Sequence, residues 1–159
     1  MNIKIICLGK IKEGYLIEGI NEYTKRISKY ANLEIIELQD EPIPPSPSEK
    51  EIQNIKQKEY EKISKYIKPS DYVCCLDLAG KQLSSEELAS KIKDITVNGF
   101  STIDFIIGGT VGLEKTLVSN SNFVFSFSKL TFPHQLIRLF LTEQLFRCFK
   151  ILNNERYHW

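Results

Sequence analysis

No apolar run in this sequence reaches the roughly 20 residues that a helix needs to cross a bilayer. The closest candidate, 133–152, is interrupted by Arg138, Glu143, Arg147 and Lys150, so no membrane association is expected. The N-terminal MNIKIICLGKIKEG holds only a short apolar run before Gly9, which suits a first strand and not a signal peptide. The four cysteines, Cys7, Cys74, Cys75 and Cys148, include no CxxC and no Cys/His pairing at zinc spacing. They are expected to be free thiols serving as small core residues, with no metal, in a reducing, cytoplasmic setting. Charge of one sign is also missing. Lys plus Arg number 21 and Asp plus Glu 20, a net charge of +1, which argues against holding naked nucleic acid by charge alone. From Lys115 onward, however, six basic residues stand against two acidic ones, so the C-terminal third is the basic part.

What is present is an alternation of two periodicities in 159 residues, a length that suits one domain over 1–159. Apolar, β-branched runs at 3–8, 33–38, 72–78, 100–107 and 123–127 predict strands. Between them lie helical patterns at 15–30, 49–67, 84–97 and 113–119, and a last helix at 133–152 with Pro133 in its first turn. Ser48 with Glu51, and Ser84 with Glu87, read as capping boxes. Four prolines in Glu41-Pro-Ile-Pro-Pro-Ser-Pro-Ser48 mark an exposed connector, Ala79-Gly80-Lys81 reads as a turn, and Asn98-Gly99 as a helix stop. The alternation predicts an α/β fold with a mainly parallel sheet and helices on both faces. Ligands of such sheets bind beyond the carboxyl ends of the strands. Three of those ends carry Leu76-Asp-Leu-Ala-Gly80, Gly108-Gly-Thr-Val-Gly112 and Ser128-Lys-Leu-Thr-Phe-Pro-His134.

The glycines of 108–116 invite a phosphate-loop reading that fails on detail. That motif needs Gly directly before Lys, and Glu114 stands there, where its carboxylate would repel a phosphate. The two histidines, His134 and His158, are ambiguous: one at a helix start is more often a hydrogen-bonding residue than a catalyst. The terminal Arg156-Tyr-His-Trp159 is basic and aromatic. Arg can contact phosphate, and Tyr and Trp can stack on bases. The last helix is apolar over more than one face (Leu136, Ile137, Leu139, Phe140, Leu141, Leu145, Phe146, Phe149, Ile151), which predicts cover by a second copy in a two-fold homodimer.

Phe105-Ile-Ile-Gly-Gly-Thr-Val-Gly-Leu113, Ser126-Phe-Ser-Lys-Leu-Thr-Phe-Pro-His-Gln135 and Arg156-Tyr-His158 together strongly resemble the small SPOUT methyltransferases of the RlmH family, over the whole chain. The resemblance implies an α/β knot, a C-terminal trefoil in which the last segment threads a loop. It implies S-adenosylmethionine as methyl donor and N3 of a pseudouridine in large-subunit ribosomal RNA as acceptor, with the assembled ribosome as partner. Carried over residue by residue, Leu76 and Gly108 match cofactor positions. Phe127, Ser128, Lys129, Leu130, Thr131 and Phe132 match the loop that wraps the donor. Tyr157 and His158 match tail residues that reach the target base beside the partner subunit's site. The acceptor nitrogen must lose a proton, so His158 is the expected general base, with Arg156 available to stabilise the resulting anion. The chain departs from the family at Trp159, where Lys or Arg often follows Tyr-His. Sequence chemistry leaves open another RNA, such as transfer RNA, and a non-catalytic ribosome-binding dimer of the same fold.

Overall fold

The computed structural model describes residues 1–157; His158 and Trp159 lie outside the described residues. Five strands form one wholly parallel sheet: β1 (Asn2–Leu8), β2 (Asn32–Leu38), β3 (Tyr72–Gln82), β4 (Thr102–Ile107) and β5 (Phe123–Ser126), in the order β2-β1-β4-β3-β5. Each parallel connection needs a crossover, and the helices α1 (Gly14–Ile27), α2 (Glu49–Ser64), α3 (Ser85–Val97) and α4 (Lys115–Asn120) supply them, followed by α5 (His134–Leu152). Strand residues pointing to one face (Ile3, Ile5, Cys7, Phe105) pack with Ile27, Ile92 and Leu141 of α1, α3 and α5. Those pointing to the other (Ile6, Leu8, Ile106) meet Ile63 of α2 and Leu117 of α4. The β-rich, two-faced apolar strands and the amphipathic helices therefore produce a three-layer α/β/α arrangement, as their patterns predict. No helix among the described residues is long and apolar enough to cross a membrane.

Both capping boxes form: Ser48 Oγ accepts the Glu51 N–H at 3.2 Å and Ser84 Oγ the Glu87 N–H at 3.1 Å, with each glutamate reaching back to its cap. Gly99, at φ +90°, takes the left-handed position that stops α3. Pro133 sits one residue earlier than expected, as the N-cap of α5. The larger departure is at Ala79-Gly80-Lys81, which is not a turn out of the sheet. β3 continues to Gln82 and pairs with β5 again after a bulge, so that both Leu76 and Lys81 register with Phe125. The continuation needs a bare α-carbon: a Cβ on Gly80 would lie 2.5 Å from the Phe125 carbonyl carbon. Glycine here signals close backbone approach and not a change of direction.

α5 lies between α1 and α3, none of its residues is fully exposed, and Leu139 packs where a Cβ on Gly19 would lie 2.9 Å away. Much of the cover that the apolar helix requires thus comes from its own chain.

All four cysteines are free and buried. Burial pushes the thiols of Cys7 and Cys75 up to about 11, so they stay protonated and unreactive. At the opposite end of the sheet from the strand termini lies a buried cluster that the sequence did not announce. Lys4 Nζ donates to Asp71 Oδ2 at 2.8 Å and to the Tyr66 carbonyl at 2.6 Å, and it lies 3.1 Å from Asp104 Oδ1. Asp104 is fully buried, and neither of its oxygens accepts a well-directed hydrogen bond among the described residues. Burial therefore raises its carboxyl to about 7 despite Lys4. A folded-state pKa above the unfolded value means that folding holds a proton more tightly. The associated stability is present at the acid end and lost as pH rises from about 4 through about 7. Asp71 acts oppositely: burial works against its ionisation, but Lys4 and the Lys68 N–H lower its pKa, so its effect lies below that window. Urea titrations of the wild type between pH 5 and 8 are expected to show stability declining by an amount on the order of a few kcal/mol. Asp104→Asn is expected to flatten that decline, and an unchanged slope in the variant would assign it to another group.

Candidate active site

Beyond the carboxyl ends of β4, β3 and β5, three neighbours in the sheet, lies a cavity of about 380 Å³, within the size range of small-ligand sites. Its floor is Leu76, Ile107 and Phe125. One wall is the backbone of Gly108–Gly112, and the other is the loop between β5 and α5. Of the eight cofactor positions implied by the resemblance, Leu76, Gly108, Phe127, Ser128, Leu130, Thr131 and Phe132 line this one cavity; Lys129 is exposed beside it and does not. Residues 50 apart in sequence meet because parallel strands deliver all their carboxyl ends to one side.

Local chemistry shapes each wall. A Cβ on Gly108 would lie 3.1 Å from both Gly112 C and Leu113 Cγ, so a side chain there would crowd that corner. Glu114 caps α4, its Oε2 accepting the N–H groups of Thr116 at 2.6 Å and Leu117 at 3.2 Å. The helix end that would cradle a phosphate in a phosphate loop is already occupied by this chain's own carboxylate. In the second loop Ser126 Oγ donates to the Ser128 carbonyl at 2.7 Å and Ser128 Oγ accepts the Leu130 N–H at 3.0 Å. Phe125 meets Phe127 edge-on at 5.3 Å and Phe132 meets Phe140 at 5.5 Å. The alternating Ser and Phe thus close a compact loop by polar contacts within it and ring contacts below it.

Beyond the matched positions, the lining includes Asp77, Leu78 and His134 from the strand ends named above and two residues, Lys56 and Ile137, that carried no sequence signal. The bulge in β3 brings Asp77 and Leu78 to the mouth, and α2 contributes Lys56. His134 and Ile137 come from the start of α5. Burial and the nearby Arg138 guanidinium both hold His134 below its ordinary value, leaving a neutral imidazole at neutral pH. Arg138 is fully buried. It donates through Nη1 to Glu37 Oε2 at 2.9 Å and through Nη2 to the Leu8 carbonyl, while its Nε has no partner among the described residues. It ties the start of α5 to the carboxyl ends of β1 and β2, and so fixes where the cavity loop ends. An arginine on the face of α5 that also carries Leu141 and Leu145 was the available signal.

Of the expected tail residues, Arg156 and Tyr157 are described, and neither lines the cavity. Tyr157 packs edge-on against Phe146 at 4.9 Å, beneath the Arg147 guanidinium at 4.8 Å, and its hydroxyl donates to Glu143 Oε1 at 3.1 Å. Burial, and then contacts with Tyr23 and Glu143, push its phenol well up, so it remains a neutral donor. Glu155 accepts from Tyr30 Oη at 2.9 Å and from Lys150. Arg156 is exposed, and His158 lies outside the described residues. The segment before the terminus is thus pinned to α5, but at Phe146, nine residues beyond the cavity-lining Ile137. At the rise of an α-helix this is roughly 14 Å along the axis. Within one chain, the structure does not bring Tyr157 to the cavity.

Comparison with known proteins agrees with this architecture. The family described as "Predicted SPOUT methyltransferase" matches residues 1–158. The ribosomal RNA large subunit methyltransferase H of Clostridium novyi (strain NT) is 52% identical over 158 residues, that of Clostridium acetobutylicum 51% and that of Desulforamulus reducens 48%, each alignment covering 99% of both chains. Among solved structures, a probable methylase family protein from Haemophilus influenzae Rd KW20 superposes with a TM-score of 0.52 at 14% identity, covering 99% of this chain and 70% of that one; at that identity the likeness speaks to the fold alone. Matches of this length and identity make the chain a member of the RlmH family of SPOUT methyltransferases.

Proposed function

We propose that this protein transfers a methyl group from S-adenosylmethionine to N3 of a pseudouridine in large-subunit ribosomal RNA, acting as a homodimer on the assembled ribosome in the cytoplasm. The carrying observation is that one cavity gathers Leu76, Gly108 and the 127–132 loop at the strand termini; the three relatives above, named for ribosomal RNA methylation, support the substrate class. The lining suits such a donor. Leu76, Ile107, Leu113 and Phe127 offer apolar surface to a purine, the bare backbone at Gly108 permits close approach, and the Ser128 and Thr131 hydroxyls and the Asp77 carboxylate offer polar partners. When bound, the donor supplies a methyl group already activated by its sulfonium. The chain's task is then to align the acceptor nitrogen and take its proton. In this reading the 127–132 loop belongs to a C-terminal trefoil knot that holds the donor bent.

His158 is the proposed base and Arg156 the cation beside the anion left on the ring. The placement of Tyr157 favours delivery of this tail to the partner's cavity. Bonded to Glu143 and packed on Phe146, Tyr157 anchors the tail on α5, some distance from its own cavity. A two-fold contact along the half-exposed stripe Leu136, Phe140, Glu143 and Arg147 would carry the tail across.

Transfer of labelled methyl to ribosomes from cells lacking this protein tests the proposal, with separated subunits, free ribosomal RNA and transfer RNA in parallel. Label entering large-subunit RNA of assembled ribosomes, mapped to a pseudouridine, is the expected result. Label confined to transfer RNA would replace the substrate, and donor binding without transfer to any RNA would leave a non-catalytic module.

A further inference from the structure

The mouth of the cavity carries two leucines that face water. Leu78 is 58% exposed and Leu130 67% exposed, and both line the opening. Their backbones come from different elements. Leu78 is thrown outward by the β3 bulge, and Leu130 stands at the crest of the loop after β5. Five other large apolar side chains are comparably exposed among the described residues, none of them lining this cavity. Three lysines are close to the pair in sequence or in the cavity wall. Lys129 precedes Leu130 and Lys81 follows Leu78 by three residues, both exposed, while Lys56 lines the cavity. No hydrogen bond or ion pair is seen for Lys56 among the described residues.

We infer that Leu78 and Leu130 are the two jaws of a clamp that holds the target nucleobase after it has left its stack, with Lys56, Lys81 and Lys129 meeting the flanking phosphates. The inference rests on the function proposed above and adds to it the residues that seat the acceptor. A base cannot present a ring nitrogen to a buried donor while stacked between neighbours; enzymes that modify bases extrude them and grip the two faces between aromatic or apolar side chains. With the donor filling the cavity, the acceptor has to sit at its mouth, where the available surface is these two side chains. The assignment of 127–132 to the cofactor concerns the loop, whose crest is held by the Leu130 N–H on Ser128 Oγ; the Leu130 side chain projects beyond it. Apolar faces with lysines close by in sequence match a flat base on an anionic backbone, a strongly negative character that a second copy of this chain, at a net charge of +1, does not have.

The test compares the wild type with Leu78→Ser, Leu130→Ser, the double variant, Leu130→Phe, and Val97→Ser as an exposed control at the end of α3. Methyl transfer to undermethylated ribosomes, S-adenosylmethionine affinity by calorimetry, and sedimentation are measured for each. Expected is a rise of about tenfold in KM for the ribosome in the double variant, the scale of one lost base contact. Donor affinity should stay within twofold and sedimentation unchanged, Leu130→Phe should raise KM less than Leu130→Ser because it keeps an apolar face, and Val97→Ser should match the wild type. Loss of donor affinity in step with activity would make the leucines cofactor walls. Altered sedimentation would make them a contact between copies. Unchanged kinetics in variants of an active enzyme would remove the clamp alone, whereas a wild type inert toward every RNA would remove the methyltransferase reading beneath it.

Discussion

His158→Ala is expected to lower kcat by about 100-fold or more while leaving the affinity for S-adenosylmethionine within twofold. A positioned general base contributes roughly 10² to 10⁴, and the cavity proposed for the donor is lined by Leu76, Gly108 and the 127–132 loop but not by Tyr157 of the same chain. The pH profile separates this role from a structural one. If an imidazole takes the proton, kcat should rise through a single titration near its ordinary pKa of about 6.5 and level off above pH 7.5. His158→Ala should lose that rise. Tyr157→Phe should retain it, because the Tyr157 ring contacts with Phe146 and Arg147 survive removal of the hydroxyl. Equal losses of turnover and donor affinity in His158→Ala would refute the assignment. Mixed dimers test delivery across the interface. One subunit carrying His158→Ala and the other a blocked cavity should be about half active if the tail works in trans in only one of the two sites, and inactive if each tail serves its own cavity.

Gly80→Ala is expected to cost about 3 kcal/mol, at the upper end of overpacking penalties. The added methyl would meet the carbonyl carbon, Cα and N of Phe125 at 2.5, 2.6 and 2.7 Å, and backbone in a paired strand cannot swing aside as a side-chain tip can. In a chain of this size that loss lowers Tm by roughly 6 to 12 °C. Phe125 and Ser126 line the cavity, so donor affinity should fall in the same variant even at temperatures where it remains folded. Gly14→Ala is the control, since nothing lies within 4 Å of a Cβ there. A Gly80→Ala protein as stable as the wild type would mean that β3 does not pass β5 as closely as described.

Much of this architecture was legible without coordinates because its causes are local. Hydrophobic periodicity, two capping boxes and Gly99 place the elements to within a few residues, and strands apolar on both faces demand a parallel sheet between helices. The resemblance added the cavity residues, seven of which do line one site. What stayed illegible depends on partners distant in sequence. Gly80 looks like a turn until Phe125 is beside it. Arg138 looks like an interruption of an apolar helix until Leu8 and Glu37 are seen to receive its guanidinium. Lys4 and Asp104 look like ordinary strand residues until parallel register sets them side by side. Tyr157 looks like a free tail residue until Glu143 and Phe146 hold it.

The division has a physical reason. Which residues form strands and helices follows from interactions within a few residues along the chain, and these the amino-acid order by itself determined. Strand order, the bulge that turns Leu78 outward, the depth at which charged groups are buried, and the distance between the anchored tail and its own cavity depend on which surfaces meet after collapse. Only the tertiary structure decided those, because contact between residues 50 or 130 positions apart leaves no mark on the local pattern of either one.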